Sequence, residues 1–310
     1  MANTQLLRIV FAAIGSFVLF AALIFMPFAP LPIAAIGLSF GMGQAVIAAV
    51  LTAIMTAIIL SPPLAIVFAI TFLAPTVLLV RQALLSRQDA DGRFIFFPLQ
   101  QLILLTLGVT ALGTTLLFFI SGGAAGLPQS FANAIEQAPE VRQALVQVYG
   151  ISSSEEMLWI ANAMLVSAFA SWPLLLLGNM QLAQALLVRV KRNLRPQENY
   201  DRLQLPIWLV APLAVFMAGA ALLTGWPATM SAALAAILLA AYFLLGLAII
   251  HAISRHWNGR VWFLAGLYFL IFVMAWVIVP IGLLGLLESR LNLRRVPAPP
   301  PKSDDDEENR

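Results

Sequence analysis

Five long stretches of the chain, residues 9–80, 94–135, 157–188, 203–254 and 261–287, contain no Asp, Glu, Lys or Arg. A helix crosses the hydrocarbon core with about 20 apolar residues, so these stretches hold about eight or nine spans, one or two of them short. Composition agrees, with 61% apolar and 10% charged residues, against roughly 45–50% and 25% in soluble domains. A water-soluble fold is excluded, and the expected fold class is an all-α polytopic membrane bundle.

The charges that remain sit in short loops. Their formal sum is +3, which is what a membrane protein keeping Lys and Arg beside its spans shows, and it points to a lipid bilayer and not to nucleic acid. The chain has no cysteine, so disulfides, iron–sulfur clusters and thiol nucleophiles are excluded. With His251 and His256 as the only histidines, no metal site and no cofactor is expected.

Local signals divide the stretches. A first helix from about Arg8 to Met26 meets Pro27, Pro30 and Pro32. No Ala-x-Ala cleavage site follows, so it reads as a retained helix and not a signal peptide. The block Ile33 to Leu60 contains Gly41-Met42-Gly43, which favours two short helices over one tilted one. A helix after Ser61-Pro62-Pro63 ends at Arg81, and the hydrophilic loop 81–93 follows. A span from Pro98 to Ile120 leads to the glycine-rich linker 121–126. Residues 128–149 alternate apolar and polar at helical spacing, which predicts an amphipathic helix that Pro139 kinks or splits. Ser153 and Glu156 form a capping box for a span that carries Pro173.

The basic loop 189–202 precedes spans at 205–224, 228–250 and 261–287. Residues 1–290 thus form the bundle, and 291–310 read as a disordered tail, Pro-rich and then acidic. By the positive-inside rule, loops 81–93 and 189–202 are cytoplasmic and the Glu136–Glu156 region lies outside. Three spans after Arg202 would put Arg290, Arg294 and Arg295 outside, against that rule, unless the last block folds back at Pro280.

Chemistry inside the spans is sparse. No carboxylate lies at depth, as proton-coupled carriers require, and no phosphate-cradling P-loop is present. Gly37-Leu38-Ser39-Phe40-Gly41 spells G-x-S-x-G but lies in a membrane block and not on a strand-to-helix turn. An enzyme is therefore not expected. Uncharged polar residues remain, among them Thr52, Thr56, Thr106, Thr110 and Thr114, which read foremost as helix-to-helix hydrogen bonds. Gln44 and Asn162 are the candidate ligand-binding groups, because an amide has several hydrogen-bonding positions to satisfy. Gln181 and Gln184 read as an interfacial face. Ala12 and Ser16, and Gly37 and Gly41, have the spacing by four that lets helices approach closely. Trp159, Trp208, Trp226, Trp257 and Trp262 read as interfacial belts.

Three segments carry a family resemblance. Leu284 to Arg295, a small-residue span ending in an acid and paired basic residues, resembles the closing motif of the YybS-like family of uncharacterised bacterial membrane proteins. Arg202-Leu203-Gln204-Leu205-Pro206-Ile207-Trp208 resembles the start of an earlier span in that family. The N-terminal helix, the Pro27–Pro32 turn and Gly37 to Gly43 resemble the front of substrate-binding (S) components of energy-coupling-factor transporters. That resemblance implies a bacterial cytoplasmic membrane, a coupling subunit docked on Ala12 and Ser16, and a separate ATPase. Ser16 replaces the usual second Ala, the spans exceed six, and no vitamin-specific signature is present, so no ligand is implied. The alternative is a non-transporting scaffold in envelope assembly or cell shape, with envelope proteins as partners.

Overall fold

The computed structural model describes residues 2–88, 92, 94–121, 126–151, 153–196 and 203–291. Two compact units result, residues 1–241 and 242–310. The expected tail lies outside the described residues beyond 291.

In the first unit α1 (Ala2–Ala21) ends earlier than expected, and a 3₁₀ segment, Leu23–Phe28, carries Pro27 before α2 (Leu31–Phe40). Helix α3 (Met42–Ile59) follows Gly41, whose φ of 97° and ψ of 164° break the helix between α2 and α3. An L side chain rarely adopts that backbone, so glycine is required here. Ser61 caps α4 (Pro62–Phe68) by accepting from the Leu64 N–H. A π turn, Ala69–Leu73, joins α4 to α5 (Ala74–Leu84). A feature not anticipated, a two-stranded antiparallel hairpin, pairs β1 (Ser86–Gln88) of loop 81–93 with β2 (Phe94–Phe96) just after it. Helix α6 (Leu99–Ile120) is the clean span expected.

Pro139 splits the amphipathic segment into α7 (Gly126–Glu136) and α8 (Pro139–Tyr149). Ala132 and Ile135 of α7 pack with Ile151, Met157 and Ala161, whereas α8 buries no residue. The Ser153–Glu156 capping box opens α9 (Ser154–Arg189), which carries Pro173 without interruption. Then come α10 (Val210–Leu222) and α11 (Trp226–Ile253), within which the unit boundary falls.

A core of Ile33, Leu38, Ala48, Phe68, Leu79 and Leu176 draws α2, α3, α4, α5 and α9 together. Gly37 permits a close approach, since a β-carbon there would stand 2.5 Å from Val80 Cγ1 and 3.0 Å from Ala45 Cβ. Seven helical stretches among the described residues are long and apolar enough to cross a membrane, and Ile207–Leu222, Arg260–Ile271 and Ile278–Glu288 are shorter apolar helices.

In the second unit the last block is two helices, α12 (Arg260–Val273) and α13 (Ile278–Leu291), not one span. The break falls at Met274–Val277, and Pro280 sits in the first turn of α13, where its missing N–H costs no helical bond. A β-carbon on Gly246 would collide with the Ile281 carbonyl and one on Gly285 with the Tyr242 carbonyl. The two contacts run in opposite residue order, so α13 crosses α11 antiparallel at backbone contact.

Candidate functional site

The basic residues gather at one end of the first unit. Leu194 N–H donates to the Leu38 carbonyl at 3.0 Å, and the Arg195 guanidinium donates to the carbonyls of Ala83 at 3.2 Å and Phe97 at 2.8 Å. These bonds bring the ends of α2, α5 and α9 and the start of α6 to one level. Arg8 lies over the Phe40 ring at the same end, 4.5 Å from its centroid. Arg195 is only 5% exposed, and its carbonyl accepts from Gln184 Nε2 at 2.6 Å and Asn193 Nδ2 at 2.7 Å. A residue of a solvated basic loop thus closes the bundle end by meeting carbonyls that lipid would leave bare. Gln184, read as interfacial, is buried and part of this closure. No sequence signal separates Arg195 from the other arginines of its loop.

The opposite end holds Glu136, Glu140, Glu155 and Glu156, and there Asn162 meets Thr229. Thr229 Oγ1 donates to Asn162 Oδ1 at 2.8 Å. Asn162 stands two turns into α9 and Thr229 in the first turn of α11. They line a cleft of about 440 Å³ with Trp159, Ser167, Ala220 and Ala232. Its size falls within the range of small-molecule sites, roughly 300–1,000 Å³. The Asn162 carboxamide spends its oxygen on Thr229, and its two N–H donors make no hydrogen bond among the described residues. No ionisable side chain lines the cleft, so it offers hydrogen bonds without charge. No cluster of His, Asp or Glu among the described residues has the makings of a metal site.

The other candidates are placed differently. Gln44 is half-buried in the first turn of α3, and its Oε1 finds no partner among the described residues. Gly37 makes a helix contact, but Gly41 does not, since a β-carbon there would meet nothing within 4 Å; its role is the backbone reversal. Ser16 is fully buried and donates to the Ala29 carbonyl at 2.7 Å, and Ala12 packs at the edge of the chain's own core. The outward face of α1 carries Leu7, Phe11, Ile14 and Val18 instead. Ser39 lies inside α2 and donates to the Ala35 carbonyl, so the G-x-S-x-G run is helical up to Phe40 and no nucleophile-bearing turn.

A bundle of apolar helices with a basic end, an acidic end and a polar pair near the acidic one defines a multi-pass membrane protein. Over residues 6–289 the chain matches the family described as "Predicted membrane protein (DUF2232)", and it belongs to that family, whose function is unknown. No curated protein and no solved structure matches it.

Proposed function

We propose that the chain is the solute-binding subunit of an uptake system. It holds an uncharged or zwitterionic small molecule in the Asn162–Thr229 cleft and draws energy from a separate coupling subunit and ATPase. The observation that carries this reading is the pair of unspent Asn162 donors in a cleft of solute size with no charge on its wall. The test compares small molecules that co-purify with the wild type and with Asn162→Leu, by mass spectrometry after gentle extraction. A compound present in the first and depleted in the second supports the reading. Identical profiles in both, with no ATPase recovered alongside the wild type, sink it.

A second reading, a non-transporting scaffold for envelope assembly, is favoured by how the other polar side chains are spent. Thr52, Thr56, Thr106 and Thr110 donate to carbonyls one turn back in their own helices, and Ser16 donates within its own chain. Except for the longer Thr52 contact to the Ala13 carbonyl at 3.3 Å, the threonine bonds satisfy the hydroxyls within their own helices and do not join helices as the sequence suggested, and they leave those donors nothing for a ligand.

A further inference from the structure

A second cavity, of about 370 Å³, runs between α3 and the segment joining α4 to α5. Val46, Val50 and Ala53 line one wall and Ala69, Ala74 and Val77 the other. Small side chains at Ala53, Ala69 and Ala74 leave the space, and the π turn begins at Ala69 and ends just before Ala74. All of its lining is apolar except one residue, Arg81, in the last turn of α5. Helix α3 lines it from Met42 to Ala53, about 16 Å along the axis, close to the half-thickness of a hydrocarbon core of about 30 Å.

We infer that this groove is a binding site for an anionic phospholipid, with one acyl chain between α3 and α5 and the phosphate on the Arg81 guanidinium. Arg81 is exposed and makes no hydrogen bond or ion pair among the described residues. A guanidinium at the interface matches a phosphate by paired N–H donors, and the apolar walls below match the tail. Charge also decides against a second copy of the chain as the occupant. At the level of Arg81 a symmetric neighbour would present its own basic end with Arg8 and Arg189, and like charges oppose that contact.

The test is native mass spectrometry of the full-length protein in mild detergent, titrated with dioleoylphosphatidylglycerol or dioleoylphosphatidylcholine. The expected result is an approximately fivefold preference for the anionic lipid, the effect of one interfacial charge. Arg81→Gln should abolish that preference and Arg81→Lys should keep most of it. Ala74→Trp, entering from the open side, should weaken binding of both lipids, with Val50→Trp replacing it should the first variant not be monodisperse. An undiminished preference in Arg81→Gln overturns the inference, as does wild-type affinity for both lipids in the filled groove. Loss of a dimer on filling the groove, with lipid binding unchanged, assigns the groove to a second copy and equally overturns it.

Discussion

The indole N–H of Trp172 donates to the carbonyl of Thr71 at 2.7 Å, joining residues 101 positions apart in the chain. Thr71 is the middle of the π turn, and its carbonyl has no usual intrahelical donor because the residue four positions on, Pro75, carries no N–H. Gly113 of α6 completes the arrangement, since a β-carbon there would stand 2.7 Å from Trp172 Cη2. Three helices thus meet at one ring, which sits beside Pro173 in α9.

Trp172→Phe removes both the donor and the outer ring atoms that face Gly113, so it should lower stability by roughly 2–4 kcal/mol, lost bond and cavity together. Gly113→Ala should cost about 1–3 kcal/mol by overpacking. The double variant should lose less than the sum if the two share the ring. Thermal unfolding in one detergent measures all three, and strict additivity would separate Gly113 from Trp172.

Arg195→Met removes charge-assisted bonds to Ala83 and Phe97 from a buried site. The expected loss is about 1.5–3 kcal/mol, accompanied by faster trypsin cleavage within 189–192. Unchanged proteolysis would mean that the Leu194–Leu38 bond alone holds the segment.

Gly37 and Gly41 should respond to alanine for different reasons. Gly37→Ala drives a methyl into the fully buried Val80 and should cost about 1–3 kcal/mol. Gly41→Ala meets no atom but must adopt a glycine-only backbone, at a cost of about 1–3 kcal/mol. Gly41→Asn, as an αL-tolerant residue, should recover little, because ψ at Gly41 lies outside that region. Melting temperatures of the three variants decide it.

Orientation is open to direct labelling because the chain has no cysteine. With the basic end cytoplasmic, a cysteine replacing Lys191 should react with a membrane-impermeant maleimide only after the cells are opened. One replacing Glu140 should react in intact cells. Reaction of Glu140→Cys only in opened cells would reverse the topology.

Much of the architecture was legible in the residues. The Gly41 break, the helix start after Ser61-Pro62-Pro63, the Pro139 split and the Ser153–Glu156 box all act within a few positions of themselves, so their signals are local. The 3₁₀ turn at Leu23–Phe28, the hairpin of strands 86–88 and 94–96 and the break at Met274–Val277 were not. Each replaces a feature of similar composition, and apolar or polar content alone does not distinguish a long helix from two short ones or a loop from a paired ribbon. For the candidate sites, Asn162 stood out as an amide in a span, but its partner Thr229 lies 67 positions away. Gln184 was misplaced because its proximity to a basic loop suggested water, while Arg195 folds back over it.

The sequence by itself determined that this chain lives in a bilayer, which end of the bundle carries its positive charge, and where most helices begin and stop. Those properties follow from the cost of charge in hydrocarbon and from capping and proline rules, both of which act on short windows. Only the tertiary structure decided which polar groups are spent within the chain. Ser16, Arg195 and Trp172 are consumed by carbonyls brought to them from distant turns, while Asn162 spends its oxygen on the Thr229 hydroxyl and its N–H donors find no acceptor among the described residues. In lipid no water competes for these groups, so the distances set by packing alone decide the pairing.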